Sequence, residues 1–130
     1  MINAIAIDDE PLALNVLETF CDKNESVNLQ KTFTQPNEAL RYLHKFPVDL
    51  IFCDIQMPSI TGLNLIRSLN QQTMVIFTTA FSEYAAISYE LNAIDYLLKP
   101  INQKRFNQAI RKSQDYYNYI NNGIYAKNGW

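Results

Sequence analysis

The sequence predicts an α/β fold in which one parallel sheet is covered by helices on both faces. Five apolar segments of β-type composition alternate with five segments of helical periodicity. Several of the apolar segments are continuous, which is typical of strands buried on both sides. The chain has 130 residues, a length that suits one domain. We see no repeat or linker within residues 1–121, which we therefore assign to a single domain.

The strand candidates are defined by runs of branched and aromatic residues. In chain order they are Ile2–Ile7, Val27–Phe33, Asp49–Phe52, Met74–Thr79 and Ile94–Leu98. The first, third and fourth are continuously apolar, so they are expected in the interior of the sheet. The segment 27–33 alternates apolar and polar residues and is therefore predicted to be an edge strand.

The helix candidates lie between and after these strands. In chain order they are Pro11–Lys23, Asn37–Phe46, Leu63–Leu69, Glu83–Leu91 and Gln103–Ile120. On the first of them, one face is predicted to carry Leu12, Val16, Leu17 and Phe20. The sequence Asn121-Asn122-Gly123 is expected to end the last helix, because Asn and Gly favour helix termination. Residues 122–130 are then a C-terminal tail or the start of a linker.

Composition excludes several classes of function. The net charge is −2, which gives no reason to expect non-specific attraction to nucleic acid or membranes. No apolar stretch approaches the length of a membrane span, and the first residues do not resemble a signal peptide. Cys21 and Cys53 lack the spacing of a metal site or a disulfide framework. We therefore expect a cytoplasmic protein, with Cys53 as a buried thiol.

Charged side chains follow three of the predicted strands. Asp8 and Asp9 come directly after the first strand, Asp54 after the third, and Lys99 after the fifth. In open parallel sheets, ligands bind at the carboxyl ends of the strands. If the first and third strands are neighbours, three carboxylates meet at one edge of the sheet, with the Thr79 hydroxyl nearby.

Such a cluster points to a magnesium ion and to phosphoryl transfer. Carboxylates a few ångströms apart repel each other unless a cation joins them, and Mg²⁺ prefers oxygen ligands and often shares a phosphate. With its charge offset in this way, Asp54 can act as a nucleophile toward phosphorus. Lys99 and Thr79 are placed to offer positive charge and a hydrogen bond to the transferred group.

Four segments together resemble the receiver domain of two-component response regulators. They are I-A-I-D-D-E-P, I-F-C-D-I-Q-M-P-S-I-T-G, F-T-T-A and Y-L-L-K-P, and the resemblance covers residues 2 to about 120. It implies a flavodoxin-like (βα)5 fold, a doubly wound parallel sheet of five strands in the order 2-1-3-4-5. It also implies a signalling domain that catalyses only its own aspartyl phosphorylation and dephosphorylation.

The resemblance assigns a role to each residue of the acidic edge. Asp54 is implied to be the aspartate that a sensor histidine kinase phosphorylates, and Asp9 the main Mg²⁺ ligand with Asp8 assisting. Gln56 is implied to offer its backbone carbonyl to the metal. Lys99 corresponds to the phosphate partner, and the Lys99–Pro100 peptide to a cis bond. The two switch residues implied by the family are a hydroxyl and an aromatic side chain, Thr79 and Tyr96.

Within the family, the closest resemblance is to receivers attached to LytTR-type (LytR/AgrA-like) DNA-binding domains. The segments that carry it are D-I-Q-M-P, T-T-A-F-S-E-Y-A and L-N-A-I-D-Y-L-L-K-P-I. It implies transcription regulation through an effector domain that these 130 residues do not contain. It also allows a homodimer through the face formed by Glu83–Leu91, the fifth strand and the last helix. The alternative is a stand-alone receiver that acts by protein–protein contact without binding DNA.

Other interpretations of the same residues remain open at this point. Asp9 is also compatible with a helix cap, Lys99 with a solvated lysine, and Thr78 competes with its neighbour Thr79. A phosphatase of the haloacid dehalogenase type needs a second acid two residues after the nucleophile, where this chain has Gln56. A flavodoxin-type flavin site needs a glycine-rich and hydroxyl-rich loop in place of the acidic residues. A pseudo-receiver that only mediates contacts is the third rival.

Overall fold

The computed structural model describes residues 1–69 and 73–128, and side chains as far as residue 122 in the last helix. The strands are β1 (Ile2–Ile7), β2 (Val27–Phe33), β3 (Leu50–Asp54), β4 (Met74–Thr79) and β5 (Asp95–Leu98). The helices are α1 (Pro11–Asp22), α2 (Pro36–Lys45), α3 (Gly62–Arg67), a 3-10 turn (Ser82–Tyr84), α4 (Ala85–Glu90) and α5 (Gln103–Asn128).

The five strands form one parallel sheet in the order β2-β1-β3-β4-β5. This is the predicted flavodoxin-like order, and β2 is the edge strand that its alternating pattern indicated. The order reverses between β1 and β3, which places the carboxyl ends of these two strands side by side. The edge of the sheet where a ligand is expected is therefore the edge that carries Asp8 and Asp54.

Two apolar layers pack on the two faces of the sheet. The layer under α1 and α5 is built around Phe52 and Phe106, whose ring centroids lie 5.5 Å apart. The opposite layer lies under α2, α3 and α4 and contains Ile51, Cys53 and Phe77, all fully buried. Both layers draw on the central strands, which explains why β1, β3 and β4 have few polar residues. The predicted burial of Cys53 is confirmed.

The local sequence explains where the helices begin. Pro11 and Pro36 occupy the first turns of α1 and α2, where a missing amide hydrogen costs nothing. Thr61 caps α3, and its side-chain oxygen accepts a hydrogen bond from the Asn64 amide at 3.1 Å. Within the described residues, no helix is long and apolar enough to span a membrane.

The predicted helix Glu83–Leu91 is divided in the structure, because Ser82–Tyr84 forms a 3-10 turn and α4 begins only at Ala85. Two further details of the helices differ from the sequence-based expectation. On α1 the buried residues are Leu14, Leu17 and Cys21, whereas Leu12 is 77% exposed and Val16 42% exposed. The face that packs on the sheet is therefore not the predicted one. The sequence allowed the error because the helix contains more apolar residues than its contact with the sheet can cover.

The end of α5 was also predicted wrongly, because the helix does not stop at residues 121–123 but continues to Asn128. Glycine lowers helix stability by only about 1 kcal/mol, which does not by itself end a long helix. Of the predicted tail 122–130, residues 129 and 130 lie outside the described part of the chain.

Candidate functional site

Three carboxylates meet at the carboxyl ends of β1 and β3. Oxygen atoms of Asp8, Asp9 and Asp54 all lie within 4.8 Å of one another. Asp8 and Asp54 are buried, and Asp9 is partly buried. The position of Asp8 is fixed by two backbone contacts: its amide donates to the Phe33 carbonyl at 3.0 Å, and its Oδ1 accepts from the Glu10 amide at 2.9 Å.

Lys99, the residue directly after β5, completes the cluster. Its Nζ lies 2.8 Å from Asp8 Oδ2 and 3.5 Å from Asp54 Oδ1. The Lys99 amide donates to the Thr79 carbonyl at 2.7 Å, and the Lys99–Pro100 peptide bond is cis. The ammonium group is thus held between two of the three carboxylates by a backbone that is itself tied to β4.

The electrostatics of the cluster follow from crowding and burial. Burial and the charge of Asp8 raise the pKa of Asp54 to about 7, although Lys99 opposes the shift. Burial alone would lower the pKa of Lys99, but its hydrogen bond to Asp8 and the charge of Asp54 raise it. The carboxylates therefore carry more negative charge than one lysine offsets, and Asp54 is protonated more readily than an ordinary aspartate.

The oxygen set fits a hard divalent cation. Asp9 Oδ1 is buried and makes no hydrogen bond in the described structure, although it lies among the other carboxylate oxygens. Burying a carboxylate oxygen without a partner is costly, so the arrangement favours a bound cation there. Carboxylates in this number suit Mg²⁺, which completes its shell with water and phosphate oxygens.

Gly62 brings the first turn of α3 against the phosphorylation candidate. A Cβ atom at this position would lie 2.1 Å from the backbone oxygen of Asp54 and 3.0 Å from Cys53 Sγ. The Gly62 amide donates to the Ile55 carbonyl at 2.7 Å. The last position of the segment I-F-C-D-I-Q-M-P-S-I-T-G is therefore glycine because the loop folds back onto the end of β3.

The two threonines at the end of β4 lie on opposite faces of the sheet. Thr78 is the register partner of Asp54 and, with Asp8 and Lys99, lines a cavity of about 160 Å³. Thr79 is buried, and its Oγ1 accepts a hydrogen bond from the Phe81 amide at 3.2 Å. No hydrogen bond joins Thr79 to Asp54 in the part of the chain that the structure describes.

The loop after β4 is held by the two predicted switch residues. Thr79 binds the Phe81 amide, and the Tyr96 hydroxyl donates to the Phe81 carbonyl. A further contact was not expected from the sequence: Gln56 Nε2 donates to the Tyr84 hydroxyl at 2.8 Å. Nothing in the sequence pattern signals this pairing, because the two residues lie 28 positions apart in the chain.

A charged group beneath the last strand was also not singled out from the sequence. Asp95 is 2% exposed, and its oxygens lie 2.7 Å from Arg105 Nη2 and 3.3 Å from Lys112 Nζ. Although burial would raise the pKa of Asp95, its hydrogen bonds to Arg105 and to the Tyr96 amide lower it. The ion pair of Asp95 and Arg105 connects α5 to β5 next to Tyr96 and does not belong to the acidic cluster.

Comparison with known proteins identifies the family. The sequence profile of the response regulator receiver domain matches residues 4–111. The chain belongs to the response regulator receiver domain family. It is a signalling domain, and the rival assignments to a haloacid dehalogenase-type phosphatase and to a flavodoxin do not hold.

Individual relatives support this assignment. The chain is 37% identical over 114 residues to the transcriptional regulatory protein BtsR of Salmonella typhi, a match that covers 86% of this chain and 48% of BtsR. It therefore spans about half the length of the curated relatives that it matches.

Solved structures of receiver domains have the same fold. The response regulatory domain of mrkE from Klebsiella pneumoniae superposes with a TM-score of 0.82 at 28% identity, covering 90% of this chain and 98% of that one. The REC domain of AraT from Geobacillus stearothermophilus superposes with a TM-score of 0.83 at 25% identity, and the match covers 92% of this chain and 98% of the AraT domain.

Proposed function

We propose that this receiver domain accepts a phosphoryl group from a sensor histidine kinase on Asp54, in the presence of Mg²⁺. The observation that carries the proposal is the cluster of Asp8, Asp9 and Asp54 with Lys99 against it. A buried carboxylate at the end of a rigid central strand, beside a cation and two further carboxylates, has little structural purpose of its own.

Asp54, Lys99 and Thr79 have separate roles in the phosphoryl transfer. An Asp54 oxygen attacks phosphorus, so that a phosphorus–oxygen bond forms while the bond from phosphorus to the donor's histidine nitrogen breaks. Lys99, whose Nζ lies 3.5 Å from Asp54 Oδ1, pairs with the negative charge of the incoming phosphoryl group. The Thr79 hydroxyl gives up its hydrogen bond with the Phe81 amide and donates to a phosphoryl oxygen instead.

The metal would be held by Asp8, Asp9, Asp54 and the backbone carbonyl of Gln56. Bound there, Mg²⁺ supplies positive charge that offsets the carboxylates and the phosphoryl oxygens. Asp9 supports this assignment because its Oδ1 is buried and makes no hydrogen bond in the described structure. Asp8 is already held in position by the hydrogen bond that the Glu10 amide donates to its Oδ1.

The switch follows from where the new charge appears. A phosphoryl group adds nearly two negative charges at Asp54 and attracts the Thr79 hydroxyl. The Phe81 amide then loses Thr79 as its hydrogen-bond acceptor, and Phe81 is free to shift. The Tyr96 side chain moves with Phe81, because its hydroxyl donates to the Phe81 carbonyl. The surface formed by α4, β5 and α5 changes as a result, which favours homodimerisation through that surface.

The output is proposed to be transcription regulation through a LytTR-type DNA-binding domain outside these residues, in the cytoplasm. Two facts support it: the BtsR relatives are named as transcriptional regulatory proteins, and this chain covers 48% of their length. The receiver itself is proposed as residues 1–121. The length of the complete open reading frame tests the output directly, because a frame that ends near residue 130 would favour the stand-alone alternative.

Intact-mass measurement tests the phosphoryl acceptor. The protein is incubated with a small phosphodonor and Mg²⁺, and we expect the mass to increase by one phosphoryl group. Asp54→Asn should give no increase, and omission of Mg²⁺ should abolish it. Asp49→Asn is the matched control, because Asp49 lies at the opposite end of β3 and should leave phosphorylation intact. Phosphorylation of Asp54→Asn to the wild-type extent would refute the assignment.

A further inference from the structure

We propose that Gln56 and Tyr84 form a second coupling between the phosphorylation site and α4, separate from the Thr79 and Tyr96 switch. The inference rests on the proposed function, since it concerns how a change at Asp54 reaches the output surface. Gln56 Nε2 donates to the Tyr84 hydroxyl at 2.8 Å and thereby connects the loop after β3 with the segment after β4.

One end of this connection is fixed relative to Asp54. Gln56 lies two residues after it, and the intervening Ile55 is fully buried. The Ile55 amide donates to the Thr78 carbonyl at 3.0 Å, and its carbonyl accepts from the Gly62 amide at 2.7 Å. We therefore expect a displacement of Asp54 or its loop to move the backbone of Gln56, whose exposed side chain carries the bond to Tyr84.

The other end is attached to a segment with few fully buried side chains. The 3-10 turn Ser82–Tyr84 has no buried residue, and α4 has Ser88 as its one buried residue. Tyr84, Ile87 and Leu91 pack partly buried against the apolar layer, and segments with so little full burial move at low cost. Three hydrogen bonds connect this segment to the site and to β5: the Phe81 amide donates to Thr79 Oγ1, the Tyr96 hydroxyl donates to the Phe81 carbonyl, and Gln56 Nε2 donates to the Tyr84 hydroxyl.

The hydrogen bond of Tyr84 can be removed without changing how its ring packs. The Tyr84 ring packs edge-on against Phe81, with ring centroids 6.4 Å apart, and contacts the apolar layer under α4. Removing only the hydroxyl leaves these ring contacts in place. Tyr84 is therefore a positioning residue whose contribution is measured by Tyr84→Phe, without a cavity that would destabilise the domain.

A double-mutant cycle read by hydrogen exchange tests the coupling. Amide exchange of residues 85–91 is measured in the wild type, Tyr84→Phe, Gln56→Ala and the double variant. We expect each single variant to exchange roughly two- to tenfold faster, the range for one net hydrogen bond, and the double variant no faster than the singles. Tyr89→Phe is the control, because Tyr89 lies on α4 and is 65% exposed. Additive effects, or no effect, would overturn the proposal.

The same variants are then treated with Mg²⁺ and beryllofluoride, a phosphoryl mimic. The wild type should change exchange at residues 8–10 and at 85–91, whereas Tyr84→Phe should keep the first response and lose at least half of the second. An undiminished response at 85–91 in Tyr84→Phe would refute the second coupling. Failure of the wild type to respond at residues 8–10 would instead count against the proposed function, so the two failures are distinguishable.

Discussion

The Asp54 carboxyl gives a direct test of the electrostatics at the site. Burial and Asp8 raise its pKa from 3.8 to about 7, so in the metal-free protein ionised Asp54 opposes folding. This cost is absent below pH 4, grows between pH 4 and 7, and is complete above pH 7.

Asp54→Asn is therefore expected to stabilise the metal-free protein at pH 8 by on the order of 2 kcal/mol, and by less as the pH falls toward 4. Urea unfolding at several pH values measures the difference. Addition of Mg²⁺ should stabilise the wild type more than the variant, since the proposed site is assembled only in the folded protein and includes the Asp54 carboxylate. A variant less stable than the wild type at pH 8 in the absence of metal would contradict the interpretation.

Asp95 is expected to behave in the opposite way. Its pKa is lowered in the folded protein despite burial, because Arg105 and the Tyr96 amide bind the ionised form. The stabilisation is fully present above the unfolded pKa of about 4 and is lost as the pH falls through the folded value.

Asp95→Asn should cost about 2 kcal/mol at pH 7, the range for hydrogen bonds to a charged group. The difference from the wild type should narrow below pH 4. Thermal unfolding at pH 7 and pH 3.5 checks both statements, with Asp115→Asn on the exposed side of α5 as a control. An equal difference at both pH values would show that ionisation of Asp95 is not the cause.

The start of α3 shows how one element depends on a single small residue. A Cβ at Gly62 would overlap the Asp54 backbone oxygen, a contact that only movement of the helix or of the end of β3 can relieve. The Thr61 cap is a more ordinary contribution, which typically amounts to about 1 kcal/mol.

Gly62→Ala is therefore expected to destabilise the domain by about 3 kcal/mol, well beyond Thr61→Ala at about 1 kcal/mol. Because the displaced backbone belongs to Asp54, we also expect weaker Mg²⁺ binding in Gly62→Ala than in Thr61→Ala. Denaturant unfolding and calorimetric titration with Mg²⁺ measure the two effects. Equal stability of the two variants would show that the loop has more space than the structure indicates.

The helices contribute unequally to the two faces of the sheet. Residues Phe106, Ala109 and Ile110 of α5 are buried against the sheet, while α4 has one buried residue. The surface proposed for the output thus combines a helix with several fully buried residues and one whose apolar residues, such as Ile87, are only partly buried. We therefore expect a change of a few hydrogen bonds near Phe81 to alter α4 while leaving the rest of the domain in place.

For the whole domain, we expect the folding unit to end before the last turns of α5. The residues that hold this helix lie between Phe106 and Tyr117, and Asn121 and Asn122 are exposed. A chain ending at Asn122 keeps every described core contact of α5, the last of which is made by Tyr117, so we expect its melting temperature to stay within a few degrees of the full chain. A chain ending at Asp115 removes Tyr117 and is the matched comparison, expected to melt lower. Failure of the first truncation to fold would mean that residues 123–130 belong to the domain.

Much of the architecture was predictable because it depends on apolar pattern. Continuous runs in β1, β3 and β4 indicated strands buried on both faces, and the alternation in β2 indicated an edge. Patterns were less reliable where a helix has more apolar residues than it buries: Leu12 and Val16 were expected in the core and are exposed. The end of α5 was missed because glycine weakens a helix without compelling it to stop.

The residues of the acidic edge are local features of strand ends, so Asp8, Asp9, Asp54 and Lys99 are readable from the sequence, and their common location follows from parallel topology. Which atoms pair was decided by the tertiary structure alone. The contact of Lys99 with Asp8, the bond from Gln56 to Tyr84 and the separate environments of Thr78 and Thr79 depend on side-chain positions at ångström precision. Periodicity specifies which face a residue occupies, whereas packing between distant segments determines its partner.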